Sequence, residues 1–285
     1  MKEMKATLEE ACLRRLDPHG YFQAFLDSQV RPDGRQTSEA RAVEVSIGEY
    51  DASTVGSAKV TMDRTIVSVG ITLQVGTPSH EAPKKGDIDV DISLGALCAS
   101  KYERGADKAE DLASVELLLV DMLSASTVFD LKQLCIEKGQ YAFRLKISGV
   151  CISHDGNLPD AFLLAAVVAL MHSQLPGTKI ENDKVVVDPT VESKNIILKQ
   201  IPIPVTVGIF NQSLLLDPTL QEEEFIGGYV RAVFLDDGSI QHINQRSWGT
   251  ESSGFGVKRY QEVIGMMKIK SLALRDSLKL HVVEK

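Results

Sequence analysis

Cysteine is scarce in this sequence and is not arranged to hold a metal. Cys12, Cys98, Cys135 and Cys151 form no CxxC pair and no His/Cys pair at ligand spacing, and they sit in or beside apolar stretches, so they read as reduced core thiols. Positive charge is also in short supply. With 31 Lys+Arg against 39 Asp+Glu and a net charge of −8, the chain is not built to coat nucleic acid alone through phosphate neutralisation. Any such contact must be local or shared with partners. Long apolar runs are missing as well. No segment reaches the length of a bilayer span, and the opening MKEMKATLEEACLRRL carries charges throughout in place of a signal peptide's apolar core. A cytosolic or nuclear protein with no membrane attachment is expected. Tryptophan occurs once, as Trp248 in a Gly/Ser-rich loop, where an interface contact and packing against the chain's own core are both open readings.

What the chain does have is material for a large core. Of its 285 residues 44% are hydrophobic, which excludes disorder over most of the length and fits one large domain or two halves. The stretch His154–Met171, HDGNLPDAFLLAAVVALM, is its centre. Asp155-Gly156 is a turn dipeptide, Asn157 is a good N-cap, Pro159 suits the first helical turn, and Asp160 is placed to reach back as in a capping box. A helix should therefore start near Leu158. From Ala161 to Met171 every residue is apolar, so this helix must be covered by protein on all sides, although it is too short to cross a bilayer. Its start offers free N–H groups and a positive dipole end, an anion site in many phosphate-handling enzymes, and Asp160 puts a carboxylate there.

Around that helix, Ala6–Leu26 reads as two short helical pieces broken at Asp17-Pro18-His19-Gly20, a lead-in over residues 1–30. Arg31-Pro32-Asp33-Gly34-Arg35 is a turn flanked by two arginines. A meander follows: Val43, Val45 and Ile47, then Gly56 to Met62, then Thr65 to Val75 after a tight connection at Asp63-Arg64. Leu112, Val115, Leu119 and Met122 predict an amphipathic helix over Lys108–Leu123, and Leu145, Ile147 and Val150-Cys151-Ile152 supply further strands. After Pro176-Gly177, strands are expected at Val185–Val187, Ile196–Leu198, Val205–Phe210, Leu214–Leu216 and Tyr229–Leu235. The last should form a hairpin with Ile240–Ile243 through Asp237-Gly238, and a long helix from Val257 to Leu280 closes the chain. Strands followed by a covering helix thus occur twice, in 31–177 and in 178–285, which predicts an α+β fold of two similar halves.

Two acidic features stand out. Asp87, Asp89 and Asp91 alternate with Ile88, Val90 and Ile92, which puts three carboxylates on one strand face and raises a divalent metal site, and with it a free-standing small-molecule enzyme. A solvated edge strand whose negative face blocks aggregation is the simpler account, and no metal or other cofactor is expected. Glu222-Glu223-Glu224, after Asp217-Pro218-Thr219, reads as a solvated helix start, with an acidic surface for a basic neighbour as the sharper reading.

In RPDGR (Arg31–Arg35), GSAKV (Gly56–Val60), DLKQLCI (Asp130–Ile136), DGNLPDA (Asp155–Ala161) and LLLDPTLQEEE (Leu214–Glu224), taken together and in order, the chain resembles the RNase PH-like family. Within it the resemblance is to the non-catalytic ring subunits of the eukaryotic RNA exosome, and it covers nearly everything from Arg31 to the C-terminal helix. It implies an RNase PH-like fold of ribosomal protein S5 domain 2-like halves, and a hexameric ring of such subunits around a channel threaded by RNA. The implied partners are other RNase PH-like ring subunits, cap subunits with RNA-binding domains, a separate catalytic ribonuclease and single-stranded RNA. The implied locations are nucleus, nucleolus and cytoplasm.

Active members of the family are similar to phosphorolytic 3′→5′ exoribonucleases, in which inorganic phosphate attacks the terminal phosphodiester. Such chemistry needs an anion cradle and a positive side chain. Where active members carry two glycines, Thr or Ser, and Arg before the buried helix, this chain has Gly156, Asn157, Leu158 and Pro159, followed by Asp160. The hydroxyl and the guanidinium are missing. The aspartate that follows the family's LLDL-type motif falls at Tyr229, which removes the implied general acid/base. The resemblance therefore implies an inactive subunit, against the alternative of an active phosphate-dependent 3′→5′ exoribonuclease. The family's channel-facing loop is matched by Cys98–Gly105, CASKYERG, which nominates Lys101 and Arg104 for RNA phosphates and Tyr102 for stacking. Asp63 replaces the family's glycine at the second hairpin and can still take a left-handed turn.

Overall fold

Alternating apolar residues build the first sheet. The computed structural model describes residues 15–48, 54–95, 98, 105–247 and 257–283, with side chains except at 105–111 and 279–283. The first expected helical piece lies almost wholly outside these residues, and the second is α1 (Pro18–Asp27), capped by Asp17, whose Oδ1 accepts the Gly20 N–H at 2.9 Å. β1 (Val43–Ile47), β2 (Gly56–Met62) and β3 (Thr65–Gly76) form the expected antiparallel meander, with Val60 opposite both Val45 and Val67. Asp63 makes the turn between β2 and β3 at φ +52°, the left-handed conformation expected of it.

β4 (Asp87–Leu94), β5 (Cys135–Glu137) and β6 (Tyr141–Ser153) complete a sheet ordered β1-β2-β3-β6-β4, with β5 paired to the start of β6. The separate apolar pieces expected before the central turn are one 13-residue strand. Gly149 does not break it, because the residue is paired on both sides, to Val69 and Ile92, and lies under the ring of Phe162, where a Cβ would come 2.8 Å from Cε1. β4 runs parallel to β6 at the sheet edge with Asp87, Asp89 and Asp91 exposed. Asp87 pairs with Arg144 at 3.2 Å and Asp91 with Lys146 at 3.9 Å, so the carboxylates form a solvated, cross-strand-paired face. α2 (Gly105–Ser124) buries Leu112, Val115, Leu119 and Met122 as their spacing predicts, and its Glu116 accepts the Ile92 N–H at 2.9 Å.

α3 (Leu158–Met171) is the central helix, buried without interruption from Asp160 to Leu170. It packs on β2 and β3 on one side. On its other side lies the second sheet, which is reached through the short β7 (Gln174–Leu175), β8 (Thr178–Glu181), β9 (Lys184–Val187) and β10 (Lys194–Asn195). The strand expected at Ile196–Leu198 is absent. Ile196 bonds the Ser173 carbonyl and Leu198 makes one bridge to Phe129, while Ile197 between them is 66% exposed, so the run straps the join between the halves instead of pairing along its length. β11 (Ile203–Phe210), β12 (Ser213–Leu216), β13 (Gly228–Phe234) and β14 (Ile240–Ser247) form an antiparallel sheet ordered β12-β11-β13-β14, with α4 (Leu220–Glu223) between β12 and β13. Val205, Val207, Val230, Ala232 and Phe234 face Val263 and Met267 of α5 (Val257–Val283). The intervening residues Thr206, Gly208, Tyr229 and Arg231 take the opposite face, from which Thr206 and Arg231 reach Asp160 at the start of α3. The fold is α+β, as expected. Among the described residues no helix is long and apolar enough to cross a membrane.

Candidate functional site

The turn from β6 into α3 sets the site. Gly156 sits at φ +86° and donates its N–H to His154 Nδ1 at 3.1 Å, while its carbonyl accepts the Thr65 hydroxyl at 2.9 Å. Asn157 follows at φ +54° and does not cap the helix with its side chain, contrary to the sequence reading. In this left-handed conformation Asn157 Nδ2 turns away from the helix axis and donates to Asp160 Oδ2 at 2.9 Å and Asp217 Oδ1 at 2.8 Å. The expected capping box is also absent. Asp160 does not reach back to the backbone; its Oδ1 accepts the Thr206 hydroxyl at 2.8 Å and lies 3.7 Å from Arg231 Nε. The carboxylate that takes a backbone N–H at this turn is Glu223, whose Oε1 accepts from Asn157 N at 2.7 Å. Pro159 occupies the first turn as expected, and Leu158 is buried.

A layer of arginines and carboxylates closes around this turn. Asp217, itself at φ +53°, accepts from Arg41 at three points: backbone N at 3.0 Å, Nε at 2.8 Å and Nη2 at 2.7 Å. Arg41 Nη1 reaches the Asp155 carbonyl at 2.7 Å and Thr65 Oγ1 at 3.1 Å. Arg31, wholly buried, grips Glu222 with Nε at 2.7 Å and with Nη2, and gives its remaining N–H groups to the carbonyls of Leu216, Asp217 and Glu39. Glu222 also accepts the Thr219 N–H at 2.7 Å, so Glu222 and Glu223 are structural carboxylates and the solvated-run reading holds only for Glu224. Arg35 pairs with Asp33 at 2.7 Å and lies 3.5 Å from Asp217, and Arg231 Nε donates to Thr206 at 3.0 Å.

The electrostatics follow from this packing. Burial pushes Asp160 above the ordinary carboxylate range, and Arg231, Asn157 and Thr206 only partly oppose it. Asp217 goes the other way. Burial alone would raise it, but the hydrogen bonds and charge of Arg41 outweigh that and hold it low. Lys270 of α5 is lowered by burial; with Asn157, Asp160 and Asp217 it lines a cavity of about 10 Å³, room for about one water. Asn157 lines this cavity, and its buried Oδ1 has no protein partner.

An incoming phosphate at a helix start needs open N–H groups and an uncommitted cation. Here Glu223 takes the Asn157 N–H, and Arg31, Arg41 and Arg231 are held by carboxylates, carbonyls or a hydroxyl, while Arg35 pairs with Asp33 and Asp217 and keeps Nη2 buried without a protein partner. Tyr229, opposite Gly208 on β13, has the guanidinium of Arg231 4.9 Å from its ring centroid, so an aromatic ring stands where a carboxylate acid was sought. Asn157 and Asp160 therefore meet directly, whereas Tyr229 is linked to them only through Arg231 and packs against the cluster of Phe22, Leu26, Phe210 and Ile226. Lys101, Tyr102, Arg104 and Trp248 lie outside the described residues. The sequence reading missed Arg31, Arg41, Thr65, Thr206, Glu222, Glu223 and Arg231 as members of the site. The available signal was polar residues inside apolar strands, Thr206 in PVTVGIF and Arg231 in YVRAVF.

A model of domain 1 of the RNase PH 3′ exoribonuclease family matches residues 39–176, and one of domain 2 matches residues 200–276. The exosome complex component Rrp42 of Methanocella arvoryzae is 29% identical over 258 residues, covering 90% of this chain and 94% of that protein. The exosome complex component rrp45 of Schizosaccharomyces pombe is 32% identical over 208 residues, covering 71% and 69%. An archaeal exosome core subunit superposes with a TM-score of 0.77 at 24% identity over 95% of this chain and 99% of that one. A subunit of an Archaeoglobus fulgidus exosome with RNA bound to the active site also gives 0.77 at 24% identity, over 91% and 96%. With its two halves matched in order and together spanning most of its length, the chain belongs to the RNase PH family of 3′ exoribonucleases.

Proposed function

We propose that the chain is a non-catalytic structural subunit of an RNA exosome ring, acting in nucleus, nucleolus and cytoplasm. Its neighbours would be other RNase PH-like ring subunits and cap subunits with RNA-binding domains, and cleavage would belong to a separate ribonuclease. The observation that carries this reading is the carboxylate-lined turn before the helix: Glu223 on the Asn157 N–H and Asp217 on Arg41, with Tyr229 in place of an acid. An anion approaching there meets fixed carboxylates in a buried setting, where like charges repel strongly. Lys101 and Arg104, with Tyr102, would contribute to the channel wall through RNA phosphates and stacking.

The test uses purified chain, single-stranded RNA and inorganic phosphate. No nucleoside diphosphate should be released, and Pro159→Arg alone should not create activity, because Glu223, Asp217 and Tyr229 remain. Phosphate-dependent trimming of RNA by the wild-type chain would establish the active-exoribonuclease alternative instead. Native mass of the complex drawn gently from its own cells should show a hetero-oligomeric ring; a homo-oligomer or monomer would count against the subunit role.

A further inference from the structure

Cys98 and Cys151 are brought together by the strand pairing. β4 runs beside β6 with Leu94 opposite Cys151. The Gly95 N–H bonds the Cys151 carbonyl at 2.7 Å, and the Cys98 N–H bonds the Gly95 carbonyl at 3.1 Å. Cys98 thus places its thiol 3.0 Å from the Cys151 carbonyl, beside the Cys151 side chain, whose own thiol donates to the Ser153 carbonyl at 3.2 Å. Cys151 is fully buried, whereas Cys98 is half-buried; both thiols are free. Burial, and secondarily the neighbouring Cys98, raises the Cys151 pKa.

We propose that Cys98 and Cys151 form a peroxide-responsive dithiol, a modification site at which oxidation closes an intrachain disulfide between the turn after β4 and the core strand β6. Cys98 is the accessible thiol and reacts first. Its sulfur attacks hydrogen peroxide, the O–O bond breaks, and Cys98 sulfenic acid and a molecule of water result. Cys151 sulfur then attacks Cys98 sulfur, the S–O bond breaks, and the hydroxyl leaves as a second water with the Cys151 proton. The two thiols lose two electrons, and the peroxide oxygens end in the two waters. A buried, high-pKa thiol is inert toward outside oxidants, which assigns Cys151 the resolving part. Thiol reductants reverse the bond by exchange, so the site stays reduced under ordinary intracellular conditions.

The test oxidises the full chain with stepwise increasing hydrogen peroxide, blocks remaining thiols by alkylation, and maps peptides by mass spectrometry without reduction. The expected product is one crosslinked pair joining the Cys98 and Cys151 peptides, abolished by dithiothreitol. In Cys151→Ala, dimedone should trap Cys98 as sulfenic acid several-fold above the wild-type level, since the resolving sulfur is gone. Cys98→Ser, a change at a half-buried position that does not depend on refilling the core, should remove the crosslink and leave Cys151 alkylatable only after unfolding. Recovery of both cysteines as free thiols at peroxide levels that already modify Cys135 would overturn the proposal. So would crosslinks of Cys98 to Cys135 or Cys12, or equal dimedone trapping in wild type and Cys151→Ala.

Discussion

Arg31 and Glu222 stand 191 residues apart in the chain and meet in a bidentate ion pair, with side-chain exposures of 0% and 2%. The pair ties the turn after α1 to α4, and through the neighbouring Glu223 to the start of α3. Removing one member leaves the other charged and buried. Glu222→Ala should therefore cost about 3–5 kcal/mol of folding stability, and Arg31→Met combined with Glu222→Leu should recover only part of that loss, because the carbonyls of Leu216, Asp217 and Glu39 and the Thr219 N–H then lose their partners. Urea unfolding midpoints for the three proteins decide it. A loss below about 1 kcal/mol for Glu222→Ala would mean that the pair is solvated in solution.

Asp160 and Asp217 share the amide of Asn157 and should respond to pH with opposite signs. The folded-state pKa of Asp160 lies above the ordinary 3.8, chiefly through burial, so its contribution is complete below 3.8 and is lost as pH rises through the folded value. Burial also presses Asp217 upward, but Arg41 prevails and its folded value lies below 3.8. Its contribution is present above 3.8 and is lost as pH falls through the folded value. The stability of wild type minus Asp160→Asn should decline as pH rises from the acid side, and that of wild type minus Asp217→Asn should decline as pH falls below about 4. Chemical denaturation across this range reads both slopes; slopes of equal sign would contradict the geometry.

The elements of this fold were legible where one face of a segment repeats, and the site was not, because its contacts are non-local. Val43-Val45-Ile47, the Asp63 turn and the unbroken apolar run of α3 declare themselves through local pattern. Asn157 was also visible as a helix start, yet its role was misread, because a left-handed backbone and the pull of Asp217, 60 residues on, redirect its side chain. Glu222 and Glu223 looked like a solvated charge run. Nothing in Gln-Glu-Glu-Glu itself reveals a buried arginine 191 residues earlier or an orphan N–H at a distant turn. Ile196–Leu198 carries strand-like residues but crosses between the halves, where no strand runs alongside it.

At Gly156 the backbone of the first half presses directly on the backbone of the second. A Cβ there would lie 2.5 Å from Leu220 N and Thr219 C and 2.7 Å from Pro218 O, and φ is +86°. No side-chain rotation relieves contacts with main chain. Gly156→Ala should lose about 2–5 kcal/mol, from backbone strain and overpacking together. Gly34→Ala is the control: φ is +89° with nothing within 4 Å of the added carbon, so only the strain of about 1 kcal/mol applies. Thermal melts of the two variants should rank in that order, and equal losses would place the Pro218–Leu220 segment away from the turn.

Among the described residues no further strand pairs with β4 at the end of its sheet, and Asp87 and Asp91 on its solvent face have side chains 66% exposed. Their ion pairs with Arg144 and Lys146 are worth about 1 kcal/mol or less at such exposure, so the carboxylates do little for folding. What they provide is charge along an edge that could otherwise template another chain. Changing Asp87, Asp89 and Asp91 together to Val leaves the inward Ile88 and Ile92 untouched, so the variant should fold but aggregate, with light scattering rising over time at concentrations where wild type stays clear. Changing the same three residues to Lys should keep the protein clear, because repulsion along an edge depends on like charge and not on its sign. A carboxylate-specific role such as cation binding would be lost in both variants. Solubility restored by lysine therefore separates the two accounts, whereas aggregation of the lysine variant would show that the aspartates act as carboxylates.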